Sequence, residues 1–169
     1  MKPIDIDNYE LEISSDCNAE CPLCQRTHMK MPLRGNNNIS LADLKNIFYK
    51  DEYIDGKEFK LCGVLGDPIL NSECIEICDF LSSKGARKIA LSTNGGMNTP
   101  EWWTRLANIQ NVQVDFCVDG FENTNHIYRV NVKWPTLLRN MKAYSEAKGK
   151  ATWVFIPVSY THLRAHETQ

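Results

Sequence analysis

The sequence of 169 residues contains no apolar run long enough to span a membrane, and its first residues contain no apolar signal core. Charges nearly balance, with 19 Lys and Arg against 21 Asp and Glu, so no global field draws the chain to nucleic acid or to an anionic membrane. Internal repeats and low-complexity linkers are also absent from the sequence. These absences predict a cytoplasmic protein without a membrane partner and argue against nucleic acid as a partner. The length is suited to one domain.

Cysteine is the residue type that departs most from this ordinary composition. The chain has seven cysteines, an odd number, and three of them, Cys17, Cys21 and Cys24, follow a C-x3-C-x2-C spacing. This usage suits metal binding in a reducing compartment better than a disulfide framework. Three thiolates in one short loop are soft ligands that leave one position of a metal centre open. The spacing therefore predicts a metal site at these three cysteines.

Zinc is the alternative metal for the same cysteines. His28 lies four residues after Cys24 and would complete a Cys3His set, which is a common closed structural site. The protein would then be a structural or interaction module without catalysis. This interpretation leaves the motifs that follow the later strands unexplained.

Hydrophobic patterning alternates between strands and helices along the chain. Strands are predicted over residues 9–14, 59–65, 88–92, 112–118 and 151–156. Asn71 or Ser72 is predicted to cap a helix that ends at Gly85, and Ser40 and Thr99 are predicted to cap two others. Pro135 is predicted to open a helix that ends at Gly149, with three residues facing inward, Leu138, Met141 and Tyr144. This alternation predicts an α/β fold with a parallel sheet and right-handed crossovers.

Short polar or glycine-containing motifs follow the first four predicted strands. The cysteine loop follows the first strand, and the later motifs are Gly66-Asp67, Ser92-Thr93-Asn94 with Gly95-Gly96, and Asp119-Gly120. Because parallel strands present their carboxyl ends at the same edge of a sheet, we expect these motifs to form one composite site. The glycines are expected to let the backbone approach a ligand closely.

From about Tyr9 to Ile156, the cysteine spacing and these motifs resemble the radical S-adenosylmethionine (radical SAM) enzymes. The resemblance implies a partial (βα)6 TIM-like barrel, truncated here after about strand five. It implies that Cys17, Cys21 and Cys24 hold a [4Fe–4S] cluster whose fourth iron chelates SAM. An external one-electron donor, such as flavodoxin or ferredoxin, would reduce the cluster, and SAM would be cleaved to a 5′-deoxyadenosyl radical. That radical would abstract hydrogen from an unknown substrate, a peptide or a small molecule.

The resemblance also implies contacts between SAM and the first two motifs. Leu23 stands where the family usually has an aromatic residue, and it would pack on adenine. Leu65-Gly66-Asp67 stands where the family has Gly-Gly-Glu, which meets the methionine amino group. The replacements at Leu65 and Asp67 leave open a third interpretation, a degenerate radical SAM fold that binds SAM poorly.

The remaining implied contacts follow the third and fourth strands. Ser92, Thr93 and Asn94 would face the ribose and methionine part of SAM. Cys117-Val118-Asp119-Gly120 resembles the Ser-x-Asp-Gly element of the family, and Arg129 would help to bind the SAM carboxylate. The combination is most similar to the branch with a C-terminal SPASM or twitch region, whose members hold auxiliary clusters and often modify peptides.

The other cysteines are predicted to have different environments. Cys74 and Cys78 lie at positions i and i+4 of an apolar helical face and are predicted to be core thiols. Cys62 lies within a predicted strand and is also assigned to the core. For Cys117, a place in the core and a place in the site are equally compatible with the sequence.

The last residues break the alternation of strands and helices. Residues 158–169 are a possible translation of a transposase-type sequencing adapter, and a genuine polar tail is the alternative. We therefore expect an incomplete radical SAM core over residues 1–157 and an adapter-derived tail over 158–169. A core cut after strand five would expose that strand as a sheet edge, so we expect aggregation and little or no turnover from residues 1–169.

Overall fold

The computed structural model describes residues 6–35 and 37–156, so the expected adapter-derived tail lies outside the described residues. The fold is built on a sheet of five strands, Asn8–Leu11 (β1), Glu58–Leu61 (β2), Lys88–Thr93 (β3), Val112–Cys117 (β4) and Lys150–Val154 (β5). The strands lie in chain order, and every neighbouring pair is parallel. Parallel neighbours in chain order need a crossover between each pair, which confirms the predicted α/β class.

The crossovers contain six α-helices within the described ranges, Gln25–His28 (α1), Leu41–Ile47 (α2), Cys74–Ser83 (α3), Pro100–Ala107 (α4), Asn125–Tyr128 (α5) and Trp134–Glu146 (α6). Two short 3₁₀ helices cover Asp51–Tyr53 and Pro68–Leu70. Ser40 caps α2 through a reciprocal capping box, Thr99 caps α4, and Gly85 follows α3 with a φ of +85°, as predicted. In this part of the chain no helix combines the length and apolarity that a bilayer span requires.

The core lies between the sheet and the longer helices. Trp103 from α4, Phe116 from β4 and Tyr144 from α6 form an aromatic cluster with ring centroids 5.2 to 6.1 Å apart. All three side chains are almost completely buried, as are Cys74 and Cys78 of α3, so the prediction of core thiols is confirmed. This packing holds the helices on the sheet and so fixes the loops that leave the carboxyl ends of the strands.

Several predicted boundaries are wrong. The first two strands end at Leu11 and Leu61, before the predicted ends. Helix α3 starts at Cys74, with Glu73 rather than Asn71 or Ser72 at its N-cap. The Asn71 Oδ1 accepts from the Glu73 N–H at 2.8 Å, and its Nδ2 donates to the carbonyl oxygens of Ile13 and Ile39, at 2.7 and 2.8 Å. Asn71 therefore ties three loops together near the end of β1.

The predicted inner face of α6 is confirmed at Tyr144, is partly buried at Met141, which packs against the core, and is wrong at Leu138. Leu138 is 52% exposed, whereas Leu137, Asn140 and Tyr144 are fully buried on the face that meets the sheet. The residue with positive φ after this helix is Lys148, at +62°. Gly149 takes part in the helix end through its N–H, which donates to the Tyr144 carbonyl oxygen at 3.0 Å, and a side chain at this position would collide with the ring of Tyr144.

Candidate cofactor-binding site

The carboxyl ends of the strands border one cavity of about 340 Å³. This volume is within the range of roughly 300–1,000 Å³ that is typical of small-molecule sites. Ten predicted or considered site residues line it: Cys17, Cys21, Cys24, Gly66, Asp67, Ser92, Thr93, Asn94, Cys117 and Arg129. Residues after β1, β2, β3 and β4 thus meet at one edge of the sheet, as the parallel topology predicts.

The cysteine loop forms one wall of this cavity. The Cys17 backbone N–H donates to the Leu33 carbonyl oxygen at 3.0 Å, and the Cys24 N–H donates to the Cys21 carbonyl oxygen at 3.0 Å. Burial, reinforced by the charge of Asp67, raises the pKa of Cys17 to about 11, and burial also raises the pKa of Cys21. Both thiols must lose protons before they can ligate a metal.

These cysteines line the same cavity without being gathered around a common point. Within residues 6–35 and 37–156, no three His, Cys, Asp or Glu side chains form a group that could hold a metal ion. His28, the fourth ligand of the zinc alternative, is exposed at the end of α1 and does not line the cavity. Among the described residues the Cys3His set of the zinc alternative is therefore not assembled, and a metal site at the three cysteines stays a prediction.

Asp67 is a buried carboxylate that organises the loop after β3. Its Oδ2 accepts hydrogen bonds from the Asn94 backbone N–H at 2.8 Å and from Asn94 Nδ2 at 2.7 Å, and its Oδ1 accepts from the Ile69 N–H at 3.3 Å. Burial raises the pKa of Asp67 although these donors act in the opposite direction. Asn94 Nδ2 also donates to Asn18 Oδ1 at 2.9 Å, which connects this pair to the cysteine loop.

Asp119 lies behind the cavity wall and orients Arg129. Its carboxylate is fully buried, accepts from Arg129 Nε at 2.5 Å, and accepts from the Ile156 backbone N–H at 2.6 Å. Arg129 lines the cavity, with Nη1 3.7 Å from the Cys21 sulfur. Burial opposes the charge of Arg129, but Cys21 and Asp119 outweigh burial and raise its pKa, so the guanidinium stays cationic.

The glycines of the motifs make room for protein atoms. A Cβ on Gly66 would collide with the carbonyl oxygen of Ser14, so this glycine lets the loop after β2 pack against the segment after β1. Gly95 has a φ of +67°, and its Cβ would collide with Leu137 and Phe116. Gly66 also lines the cavity, and the expected close approach of these glycines to a ligand stays a prediction.

The remaining predicted site residues do not all line the cavity. Ser92 and Thr93 line the cavity, and Thr93 Oγ1 also accepts from the Gly95 N–H at 3.0 Å. Leu23 is 70% exposed and does not line the cavity, so its contact with adenine stays a prediction. Cys117 lines the cavity, and burial raises its pKa to about 11.

Cys62 is a cavity residue that the sequence analysis assigned wrongly to the core. Because β2 ends at Leu61, Cys62 lies in the loop, lines the cavity and donates to Glu10 Oε1 at 3.0 Å. Burial and this hydrogen bond raise its pKa to about 12. The sequence analysis also missed Arg26, a buried residue of the lining whose only signal is its place two residues after Cys24.

Comparison with known proteins agrees with the geometry of the site. A family model described as Radical SAM superfamily matches residues 11–165. The chain is 29% identical over 88 residues to a probable GTP 3′,8-cyclase of Methanothermobacter marburgensis, covering 52% of this chain and 27% of that protein. It is 26% identical over 109 residues to the GTP 3′,8-cyclase of Mannheimia succiniciproducens, covering 62% of this chain and 32% of that protein. The matches thus cover about a third or less of the length of these relatives.

Solved structures share the fold at low sequence identity. Streptococcus suis SuiB aligns with a TM-score of 0.74 and 12% identity, covering 96% of this chain and 36% of that chain. A structure of anSMEcpe with bound AdoMet aligns with a TM-score of 0.72 and 17% identity, covering 94% of this chain and 46% of that chain. The α/β architecture with parallel strands is therefore common to this chain and these proteins.

Proposed function

The chain belongs to the radical SAM superfamily, and we propose that it forms the cofactor-binding part of an enzyme that removes hydrogen from its substrate. The family uses a [4Fe–4S] cluster and SAM, which together supply one-electron cleavage of a carbon–sulfur bond when they are bound. The observation that carries the proposal is the single cavity at the carboxyl ends of the strands, which Cys17, Cys21 and Cys24 share with the later motifs.

We assign Cys17, Cys21 and Cys24 as the cluster ligands. The donor set fits, because three soft thiolates leave one iron free for a second ligand. Cationic groups also stand beside these sulfurs, since Arg129 lies 3.7 Å from Cys21 and Arg26 lines the same wall. Their charges favour the deprotonated cysteines that a cluster requires.

We assign the SAM contacts to the other residues that line the cavity and to the residues that lie beside it. Arg129, which Asp119 holds by an ion pair, offers a planar pair of donors to the SAM carboxylate. Asp67 would accept from the methionine ammonium beside Gly66. Ser92, Thr93 and Asn94 would hold the ribose and methionine part, and Leu23 would cover adenine from the exposed side of the cysteine loop.

A peptide or a small molecule is proposed as the substrate, with an external one-electron donor such as flavodoxin or ferredoxin in the cytoplasm. Support for both substrate classes comes from the structural neighbours, because SuiB has been solved with its precursor peptide SuiA and BtrN with AdoMet and 2-DOIA. The seven cysteines are free, which suits a reducing compartment. Membership of the SPASM or twitch branch belongs to the same proposal.

Metal analysis of the anaerobically reconstituted protein tests the cluster assignment. We expect a brown protein that contains iron and sulfide, and we expect Cys17→Ala, Cys21→Ala or Cys24→Ala to lose most of both. Cys78→Ala is the matched control, because Cys78 is fully buried in α3 and does not line the cavity. One zinc per chain in a colourless protein, with iron and sulfide available, would instead support the Cys3His interpretation.

SAM cleavage tests the activity and is measured on the full-length product of the source gene. With dithionite as reductant, we expect 5′-deoxyadenosine from the cluster-loaded protein and none from the Cys21→Ala variant. A fully loaded protein that binds SAM poorly and releases no 5′-deoxyadenosine would support the degenerate fold.

A further inference from the structure

Arg26 is a buried cation, and two of its side-chain nitrogens have no hydrogen-bond partner among the described residues. Its side chain is 2% exposed, and its Nη2 donates to the carbonyl oxygen of Pro32 at 2.6 Å. Its Nε and Nη1 are inaccessible to solvent and have no hydrogen-bond partner among the described residues. An arginine always carries its charge, and leaving buried N–H groups unpaired is costly. These two nitrogens therefore point to a ligand that completes the site.

No carboxylate within the described ranges forms an ion pair with Arg26. Arg129, in contrast, has Asp119 as its counter-charge. Glu20, a neighbour of Arg26 in a second cavity of about 270 Å³, accepts a hydrogen bond from Asn131 at 2.9 Å. Among the described residues, therefore, no carboxylate supplies the counter-charge of Arg26.

The backbone holds Arg26 beside the cysteine loop. Pro32 accepts from the Arg26 side chain, and the next residue, Leu33, accepts from the Cys17 N–H at 3.0 Å, so one short segment contacts both residues. Arg26 lines the cavity together with all three cysteines of the motif. The side chain that carries the unpaired donors thus lines the same cavity as the three cysteines.

We propose that Arg26 is a positioning residue for the iron–sulfur cluster, donating from Nε and Nη1 to sulfur atoms held by the cysteine loop and offsetting their negative charge. The inference rests on the proposed function, because it needs a cluster at Cys17, Cys21 and Cys24. Hydrogen bonds to sulfur and nearby charge are two of the factors that set the potential of an iron–sulfur centre. Arg26 therefore favours the reduced, more negatively charged state of the bound cluster.

An EPR-monitored redox titration of the reconstituted chain tests this role. The variants are Arg26→Gln, which removes the charge, and Arg26→Lys, which keeps the charge without the planar donors. We expect Arg26→Gln to make one-electron reduction about tenfold less favourable, a shift of about 59 mV to lower potential, and Arg26→Lys to shift the potential by less. Arg105→Gln is the control, because Arg105 is exposed on α4 and pairs with Glu76.

Iron and sulfide content and the far-ultraviolet circular dichroism are measured on the same samples. A folded Arg26→Gln protein that loses its cluster, together with retention in Arg26→Lys, supports the role. Wild-type cluster content and potential in Arg26→Gln would overturn it and leave Arg26 as a support for the loop at Pro32. If Arg26→Gln does not fold, an Arg26→Lys potential identical to the wild type overturns the role. If the wild-type chain takes up no iron or sulfide, the proposed function itself has failed.

Discussion

The cysteines show how position determines the role of a single residue type. Cys74 and Cys78 are fully buried within α3 and behave as apolar core residues. Cys62 and Cys117 have the same side chain, but each lies where a strand meets the cavity. Whether a cysteine is inert or available to a ligand therefore depends on where the nearest strand ends.

Cys62 provides a test of the electrostatics at the cavity edge. Its pKa is raised to about 12 by burial and by the carboxylate of Glu10, so the thiol stays protonated at pH 8 and should react slowly with iodoacetamide. Glu10→Gln removes a negative charge that opposes the thiolate, and the pKa should therefore fall. We expect Cys62 labelling at pH 8 to become faster by about threefold or more, since half a pKa unit changes the thiolate fraction by that factor.

Peptide mass spectrometry of the alkylated, metal-free protein gives the Cys62 rate separately from the other thiols. Glu12→Gln is the matched control, because Glu12 is the weakest of the groups that raise the pKa of Cys62. An equal acceleration by both substitutions would mean that the hydrogen bond from Cys62 to Glu10 has no special effect.

Helix α6 stabilises the loop that follows β3. Asn140 Nδ2 donates to the carbonyl oxygens of Gly95 and Met97, both at 2.8 Å. Leu137, one turn earlier, fills the space beside Gly95 that a Cβ would need. This helix therefore fixes the segment that presents Ser92, Thr93 and Asn94 to the cavity.

Two neighbouring leucines of α6 test which face of the helix is buried. Leu137→Ala should lower the free energy of unfolding by about 2–5 kcal/mol, because Leu137 is fully buried and its loss leaves a cavity. Leu138→Ala should change it by less than about 1 kcal/mol, because Leu138 is 52% exposed. Urea unfolding followed by circular dichroism measures both values. Equal losses would contradict the orientation of the helix.

The described sheet ends in a strand with an apolar, exposed surface. All five residues of β5 are exposed, and the exposed apolar residues continue through Trp153, Val154, Phe155 and Ile156. An unprotected edge strand of this kind can pair with another chain. We therefore expect aggregation to occur through this edge strand. The assignment of residues 158–169 to an adapter stays a prediction that resequencing of the source locus would test.

A charge on β5 should reduce self-association. Val154→Lys places a cation on the edge strand, which opposes pairing with a second copy. We expect a clear shift from aggregate toward monomer in size-exclusion chromatography with light scattering at matched concentration. Ile47→Lys adds the same charge at an exposed position of α2 and should leave the distribution unchanged. The same shift in both variants would indicate an effect of net charge alone.

Local patterns were sufficient to predict the order of strands and helices and the caps at Ser40 and Thr99. They also predicted that the cysteine loop, Gly66-Asp67 and Ser92-Thr93-Asn94 meet at one sheet edge. Hydrophobic periodicity and capping depend on residues a few positions apart, and parallel pairing then determines where strand ends meet. The C-x3-C-x2-C spacing likewise identified the cysteine wall, because its three residues lie in one short loop.

Contacts between distant segments determined which side chains line the cavity and which support its walls. Gly66 is needed because its loop packs on Ser14, Asp119 acts through Arg129, and Asp67 holds the loop after β3 through Asn94. None of these partners lies within the few residues over which a sequence pattern operates. Which side chains face the cavity and which support it thus follows from how the loops pack, since burial and hydrogen bonding are set by neighbours that only the folded chain brings together.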